Sequence, residues 1–138
     1  MHHFAYRNGV LHCEDVSLEA VARELGTPAY VYSDATLRRH YAVLAEAFAN
    51  RDVLIAYAVK ANSNIGVLAT LASVGAGADV VSGGEMLRAL EAGIPANRIV
   101  FSGVAKTVEE MKLGLERGIH QFNVESMPEL LRLSRVAK

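Results

Sequence analysis

Apolar residues recur in short runs along the chain, and from residue 53 onward each run is followed by a stretch with helical spacing. The first run, Val53–Val59, is rich in β-branched and aromatic residues and too short for a buried helix, which predicts an interior strand. Further strands are predicted to begin near Ala78, Ile99 and Gln121. Strands that alternate with helices through short connections predict a parallel sheet made of four strand–helix units.

Residues that start helices occur where this alternation requires them. Asn64 is a predicted cap, and capping boxes are predicted for Ser82 with Glu85, Thr107 with Glu110, and Ser126 with Glu129. Glycines that end helices follow at Gly75, Gly93 and Gly118. The caps also lie at the carboxyl ends of the strands, where a pocket would open, so direct contact of Ser82 with a ligand is the alternative to capping.

The N-terminal part of the chain predicts a different arrangement. Asn8–Gly9 lies between two apolar runs, which is the strongest short-range signal for a β-hairpin. A short helix is predicted after Ser17, and a further strand over Ala29–Tyr32. We therefore divide the chain into residues 1–33, with a hairpin, helix and strand, and residues 34–138, with the strand–helix units.

Composition narrows the possible classes of protein. The chain has 138 residues, of which 51% are hydrophobic and 21% charged, as expected for an ordered globular protein. A net charge of −1 without a basic run does not favour nucleic-acid binding. No run approaches the roughly 18 apolar residues of a membrane span, and no secretory signal is evident, so a cytoplasmic protein is expected. The histidines lack metal-site spacing, and the single cysteine, Cys13, forms no disulfide framework.

The four predicted units amount to half of a (β/α)₈ barrel. A closed barrel needs eight units and typically about 250 residues. We therefore expect the first half of a TIM-type barrel, preceded by an N-terminal segment. Half a barrel leaves open strand edges and an uncovered apolar face, so the isolated chain is expected to be unstable, aggregated or self-associated.

Lys60 directly follows the first predicted strand of the barrel. Alternation places it on the same face as Ala56 and Ala58, which leaves space beside its amine for a flat ligand. Ligand sites of α/β folds lie at the carboxyl ends of parallel strands. A deprotonated lysine amine at this position can form a Schiff base with a carbonyl compound. The alternative is a lysine that ends a strand and extends into solvent.

Other polar residues near the strand ends are weaker candidates. Asp79 lies in the second predicted strand, and a buried carboxylate needs a partner. It either joins Lys60 in a pocket or accepts hydrogen bonds from backbone donors. Asn123 and Glu125 alternate with apolar residues and are expected to face the barrel interior, where they support the pocket or hydrogen-bond within a layer. Lys106 is predicted to be a solvated lysine.

Four stretches resemble, in the same order, motifs of the alanine-racemase-like (fold type III) pyridoxal-phosphate-dependent decarboxylases. They are Tyr57–Asn62, Gly77–Glu85, Phe101–Thr107 and Phe122–Ser126. The similarity covers nearly the whole chain from the first barrel strand onward, and four collinear motifs are far more specific than one. The chain departs from the family at Ala105, where glycine is usual, so the conformation of that loop is not implied.

The resemblance implies that Lys60 carries pyridoxal 5'-phosphate as a Schiff base and that Asp79 lies beside the cofactor. It also implies a barrel whose N-terminal segment joins a β-rich domain, and a homodimer in the full-length family member. The amino-acid sequences of Lys60–Asn64 and Ser82–Glu85 favour the members of the family that decarboxylate meso-diaminopimelate to L-lysine and carbon dioxide. Ornithine- or arginine-type decarboxylases, alanine racemases and a non-catalytic cofactor-binding module are the alternatives.

Several parts of the family's active site have no counterpart in these residues. They are the glycine-rich phosphate loops, the acidic partner of the pyridine nitrogen, the substrate-binding arginines and the proton-donating cysteine. The resemblance implies that they lie further along a longer chain. We therefore expect the present chain to be an N-terminal portion of a carboxy-lyase, without useful activity alone.

Overall fold

Two separate sheets organise the structure, a computed structural model that describes residues 2–138. Met1, the first residue of the predicted N-terminal unit, lies outside the described residues. The strands are β1 (Phe4–Arg7), β2 (Val10–Cys13), β3 (Val16–Ser17), β4 (Ala56–Ala58), β5 (Gly77–Val80), β6 (Ile99–Phe101) and β7 (Gln121–Phe122). The helices are α1 (Leu18–Leu25), α2 (Asp34–Ala47), α3 (Ile65–Ser73), α4 (Gly83–Glu91), α5 (Val108–Arg117) and α6 (Met127–Val136).

The N-terminal sheet is antiparallel, in the order β1-β2-β3. Asn8 and Gly9 both have positive φ, +51° and +81°, and form the predicted two-residue hairpin turn. The strand predicted over Ala29–Tyr32 is wrong, because this segment has no regular structure. A strand requires a hydrogen-bonded neighbour, and none pairs with this segment within residues 2–138. Tyr30 is 92% exposed, so its aromatic character did not indicate burial.

A carboxylate joins the N-terminal sheet to the start of α2. Glu14, just after β2, accepts hydrogen bonds from the Ala35 backbone N–H at 3.0 Å and the Ser33 hydroxyl at 2.7 Å. Both bonds, that from Ala35 foremost, hold the pKa of Glu14 below its ordinary value. Ser33 itself caps α2 by accepting from the Thr36 N–H at 3.0 Å. The hairpin is therefore fixed against the first turn of α2.

The second sheet is parallel, in the order β4-β5-β6-β7, which confirms the four predicted strand–helix units. The interior strand predicted over Val53–Val59 is shorter and differently placed, because only Ala56–Ala58 form β4, at an edge of the sheet. Val53, three residues before this strand, is 45% exposed.

One face of the parallel sheet packs against helices. The buried cluster consists of Val59, Leu68, Ala78, Val80, Met86, Ala89, Ile94, Ile99 and Phe101. The rings of Phe101 and Phe122 stack with centroids 5.7 Å apart, which joins β6 to β7. Burying a side chain of the size of Phe101 or Leu68 contributes about 1.5–3 kcal/mol each. Because strand side chains alternate, Asp79 and its neighbours on the same face point away from this cluster.

The predicted helix caps are confirmed, but two of the three predicted capping boxes are incomplete. Each hydroxyl cap accepts from the glutamate N–H three residues later, at 3.2–3.3 Å, in the pairs Ser82 with Glu85, Thr107 with Glu110, and Ser126 with Glu129. The capping box is complete only at Thr107, whose N–H donates to the Glu110 carboxylate at 2.9 Å. In the other two helices the glutamate accepts from the residue before the cap, Val81 or Glu125. Each carboxylate thereby fixes the backbone of the segment that leads from the strand into the helix.

Candidate functional site

Lys60 lies in a single 3₁₀ turn, Val59–Ala61, that directly follows β4. Lys60 therefore lies in the short turn that follows the strand, and not at the tip of the strand as predicted. Val59 is completely buried in the core, and this anchors the turn while leaving Lys60 exposed. Within residues 2–138 the Lys60 amine takes part in no hydrogen bond or ion pair. Lys60 is thus an exposed lysine directly after the carboxyl end of a strand of the parallel sheet.

Hydrogen bonds fix the loop after Lys60. The Tyr57 hydroxyl donates to the Asn62 carbonyl at 3.4 Å, and burial raises the pKa of Tyr57. The Asn62 side chain accepts from the Asn64 N–H at 2.9 Å. Arg88 of α4 donates to both the carbonyl and the hydroxyl of Ser63 at 3.2 Å. The loop therefore holds its position relative to α4.

The face beneath the Lys60 turn carries small side chains. Ala56 of β4 pairs with Gly77 of β5 in the parallel register. A Cβ atom on Gly77 would collide with the backbone carbonyl of Arg98 and would lie 2.9 Å from Leu54 Cδ1. Since the obstacle includes backbone, a larger residue cannot be accommodated by a side-chain shift. The space next to the amine that the sequence predicts depends on Ala56 and Ala58 and stays a prediction.

Asp79 lies on the strand next to the one that leads into Lys60. It pairs with Ala58 of β4 on one side and with Val100 of β6 on the other. Its Oδ1 accepts a hydrogen bond from the Ser102 hydroxyl at 2.5 Å. The sequence alternative, in which backbone donors satisfy Asp79, is therefore wrong within the described residues. The partner is a side chain, and it follows the next strand along the chain.

The Ser102 hydroxyl belongs to a longer chain of side-chain hydrogen bonds. Asn123 donates through Nδ2 to Ser102 Oγ at 3.0 Å, and Gln121 donates through Nε2 to Asn123 Oδ1 at 2.7 Å. Asn123 therefore shares a face with Asp79, as its alternation with apolar residues predicted. Glu125 lies outside this chain of bonds; its backbone N–H donates to the Glu129 carboxylate at 2.9 Å.

Lys106 is buried, so the prediction of a solvated lysine is wrong. Its side chain is 1% exposed, and its ammonium donates to Glu129 Oε1 at 2.7 Å, the Gly103 carbonyl at 2.6 Å and the Asn123 carbonyl at 2.7 Å. Each of the three N–H donors of the ammonium therefore has an acceptor, as a buried ammonium group requires. The ammonium also lies 5.7 Å from the centroid of the Phe101 ring.

Glu129 is the other half of this buried pair, and its sequence signal indicated only a helix cap. Burial opposes ionisation of the carboxyl, but the hydrogen bonds from Lys106 and from the Glu125 N–H outweigh it, so the pKa lies below its ordinary value. A helical acid three residues after a serine is expected at any capped helix. Glu129 and Lys106 belong to different strand–helix units, and only the folded structure brings them together.

Glu110 links two helix starts, a role that the sequence did not indicate. Its carboxylate accepts from the Gly83 N–H of α4 at 2.7 Å and from the Thr107 N–H of α5 at 2.9 Å. Burial raises its pKa, but these backbone donors and the nearby Lys106 charge give a net decrease. The Glu110 carboxylate thereby links the N-termini of α4 and α5. These helix starts follow the carboxyl ends of strands in the sheet to which Asp79 belongs.

Three further features of residues 2–138 concern other kinds of site. No group of three or more His, Cys, Asp or Glu side chains is arranged to hold a metal ion in this part of the chain. Cys13 is a buried free thiol in the N-terminal hairpin. None of the helices described is long and apolar enough to cross a membrane.

Lys60, in the turn after β4, and the Asp79 carboxylate on the neighbouring strand β5 belong to a parallel α/β sheet, and folds of this kind place their ligand sites at the carboxyl ends of the strands. A lysine at such a position can bind a carbonyl compound covalently. The chain belongs to the pyridoxal-dependent decarboxylases: the family described as "Pyridoxal-dependent decarboxylase, pyridoxal binding domain" matches residues 34–138.

Several diaminopimelate decarboxylases are similar to this chain in sequence or in structure. The chain is 54% identical to the diaminopimelate decarboxylase of Pseudomonas fluorescens over 92% of its length, and 52% identical to that of Pseudomonas aeruginosa over 97%. It spans 30% and 32% of those two proteins. A crystal structure of diaminopimelate decarboxylase from M. jannaschii in complex with L-lysine is 36% identical, with a TM-score of 0.91, over 96% of this chain and 32% of that one.

Proposed function

We propose that this chain forms the cofactor-binding part of a pyridoxal-phosphate-dependent enzyme that decarboxylates meso-diaminopimelate to L-lysine and carbon dioxide. The observation that carries the proposal is the exposed Lys60 directly after β4, with Asp79 on the neighbouring strand, in a chain whose relatives are diaminopimelate decarboxylases. The L-lysine complex of the M. jannaschii protein agrees with lysine as the product. The relatives do not favour an ornithine- or arginine-type decarboxylase or an alanine racemase.

The residues of this chain fit the cofactor. Lys60 would hold its aldehyde carbon through Nζ, and the small side chains of Ala56 and Ala58, on the face that carries Asp79, would leave space for a flat ring. Asp79 would contact the cofactor with Oδ2, which has no hydrogen-bond partner within the described residues. The bound cofactor supplies an electron sink for the electrons left when the substrate carboxylate departs. The chain's own contribution is to bind, to orient and to limit motion.

We extend the proposal to the organisation of the whole protein. Residues 34–138 would form the first half of a (β/α)₈ barrel, with the face that carries Asp79 turned to its interior. Residues 1–33 would belong with a β-rich domain, which accounts for the exposed aromatic side chains Tyr6 and Tyr30. The family match begins at residue 34, which supports this division. A homodimer is part of the proposal.

The proposal is tested on the complete gene product that contains this sequence. Purified protein with pyridoxal phosphate is incubated separately with meso-diaminopimelate, ornithine and arginine. Release of carbon dioxide and formation of the product amine are measured. We expect turnover of meso-diaminopimelate to L-lysine at a kcat/KM at least about 100-fold above that for the other two, a discrimination available when polar substrate groups are specifically bound. Equal or greater turnover of ornithine or arginine would contradict the proposed substrate.

A further inference from the structure

The side-chain hydrogen bonds at the sheet end run in one direction. Gln121 donates to Asn123, Asn123 donates to Ser102, and Ser102 donates to Asp79. A serine hydroxyl has one proton, and because its oxygen accepts from Asn123 that proton is directed to Asp79. Hydrogen bonds in such a chain polarise one another, so each link strengthens the next. The carboxylate is the end point of the chain.

The middle of this chain is anchored on both backbone groups of Asn123. Its N–H donates to the Phe101 carbonyl at 2.9 Å, and its carbonyl accepts from the buried ammonium of Lys106 at 2.7 Å. Ser102 is fixed as well, since its N–H donates to the Val80 carbonyl at 2.8 Å. Side chains held in this way by a rigid surrounding shell can define the orientation of a functional group.

From this geometry we propose that Ser102 and Asn123 are positioning residues that hold Asp79 in a single orientation toward the ligand site at Lys60. This inference rests on the proposed function. Ser102 occupies Oδ1 of Asp79 and leaves Oδ2 for the cofactor. Asn123 keeps the Ser102 proton directed to the carboxylate. Neither residue needs to touch the cofactor, so their effect passes through Asp79.

A double-mutant cycle on the complete gene product tests the inference. The dissociation constant of pyridoxal phosphate is measured for the wild type, Ser102→Ala, Asp79→Ala and the double variant. We expect Ser102→Ala to weaken binding about tenfold in the wild type, as for loss of one hydrogen bond to a charged group. In the Asp79→Ala background it should change binding by less than about twofold, because interacting sites are not additive.

Two further readouts separate orientation from stability. The visible circular dichroism of the bound cofactor reports its fixed orientation and should change in Ser102→Ala but return in Ser102→Thr, which keeps the hydroxyl. The melting temperature of the cofactor-free protein should remain within a few degrees of the wild type in Ser102→Ala. Ser134→Ala, at an exposed serine in α6, is the matched control and should alter none of these quantities. If Ser102→Ala does not fold, Asn123→Ala takes its place in the same cycle.

Each outcome decides the inference. Unchanged binding in Ser102→Ala, or equal weakening with and without Asp79, would overturn it. If the wild-type protein attaches no cofactor at Lys60, the proposed function itself fails and the inference falls with it. That failure is visible in the wild type before any variant is compared, so the two can be told apart.

Discussion

Replacing Lys60 by alanine is expected to lower the decarboxylation rate of the complete gene product by about three orders of magnitude or more, the scale on which the loss of a covalent catalytic group acts. The reason is that Lys60 provides the only covalent attachment proposed for the cofactor and returns to it after each turnover. The same variant should lose the lysine-dependent absorbance band that appears when pyridoxal phosphate is added. Because Lys60 is exposed and forms no hydrogen bond or ion pair within the described residues, its removal should leave stability nearly unchanged.

Lys112→Ala provides the matched control for Lys60→Ala. Lys112 is an exposed lysine of α5, and its replacement should leave both the rate and the absorbance band at wild-type values. A Lys60→Ala protein that retains a tenth or more of the wild-type rate would contradict the assigned role. So would loss of the band in Lys112→Ala alone.

Replacing Lys106 by methionine should destabilise the protein by about 3–5 kcal/mol, since it leaves the Glu129 carboxylate buried without its ionic partner. Methionine is close in length to the lysine stem, so the loss reports the charge more than the packing. The pair variant Lys106→Met/Glu129→Leu should recover much of that loss, because two apolar side chains leave no isolated charge. Urea unfolding curves give the free energies for this comparison.

The exposed ion pair between Arg7 and Asp15 serves as the comparison. Its N–O distance is 2.8 Å, close to that of the buried pair, but its side chains are 52% and 91% exposed. Arg7→Met should therefore cost at most about 1 kcal/mol. If Lys106→Met is no more harmful than Arg7→Met, the buried pair does not have the energetic role assigned to it.

The buried pair also predicts a pH dependence. The pKa of Glu129 in the folded protein lies below its ordinary value of 4.5. A lowered folded-state pKa contributes stability that is fully present above the unfolded-state pKa and is lost as pH falls through the folded-state pKa. The stability difference between wild type and Glu129→Gln should therefore be largest above about pH 4.5 and shrink under more acidic conditions. A difference that stays constant from neutral to acidic pH would argue against this ionisation.

Local rules predicted the repeated architecture. Hydrophobic runs, capping residues and glycines at helix ends act over a few neighbouring residues, and so the strand order after Ala56, the cap at Thr107 and the Asn8–Gly9 turn followed from the sequence. Alternation likewise set Asn123 on the face of Asp79. These features depend on short-range stereochemistry more than on the rest of the fold.

Features that depend on distant partners could not be predicted in this way. Lys106 and Glu129 each matched an ordinary surface or capping pattern, and their pairing requires two different strand–helix units to be adjacent. The Ser102 hydroxyl gave no signal, because a serine after a strand is common in any loop. The segment Ala29–Tyr32 has the composition of a strand but no strand beside it within the described residues.

The central claim is that the amine of Lys60 is the point of cofactor attachment. The most direct measurement is to add pyridoxal phosphate to the complete gene product, reduce the carbon–nitrogen bond with borohydride, digest the protein and locate the modified lysine by mass spectrometry. We predict one predominant pyridoxyl group, on the peptide that contains Lys60, with Lys106 and Lys112 unmodified. A reduced group on another lysine, or none on Lys60, would contradict the account.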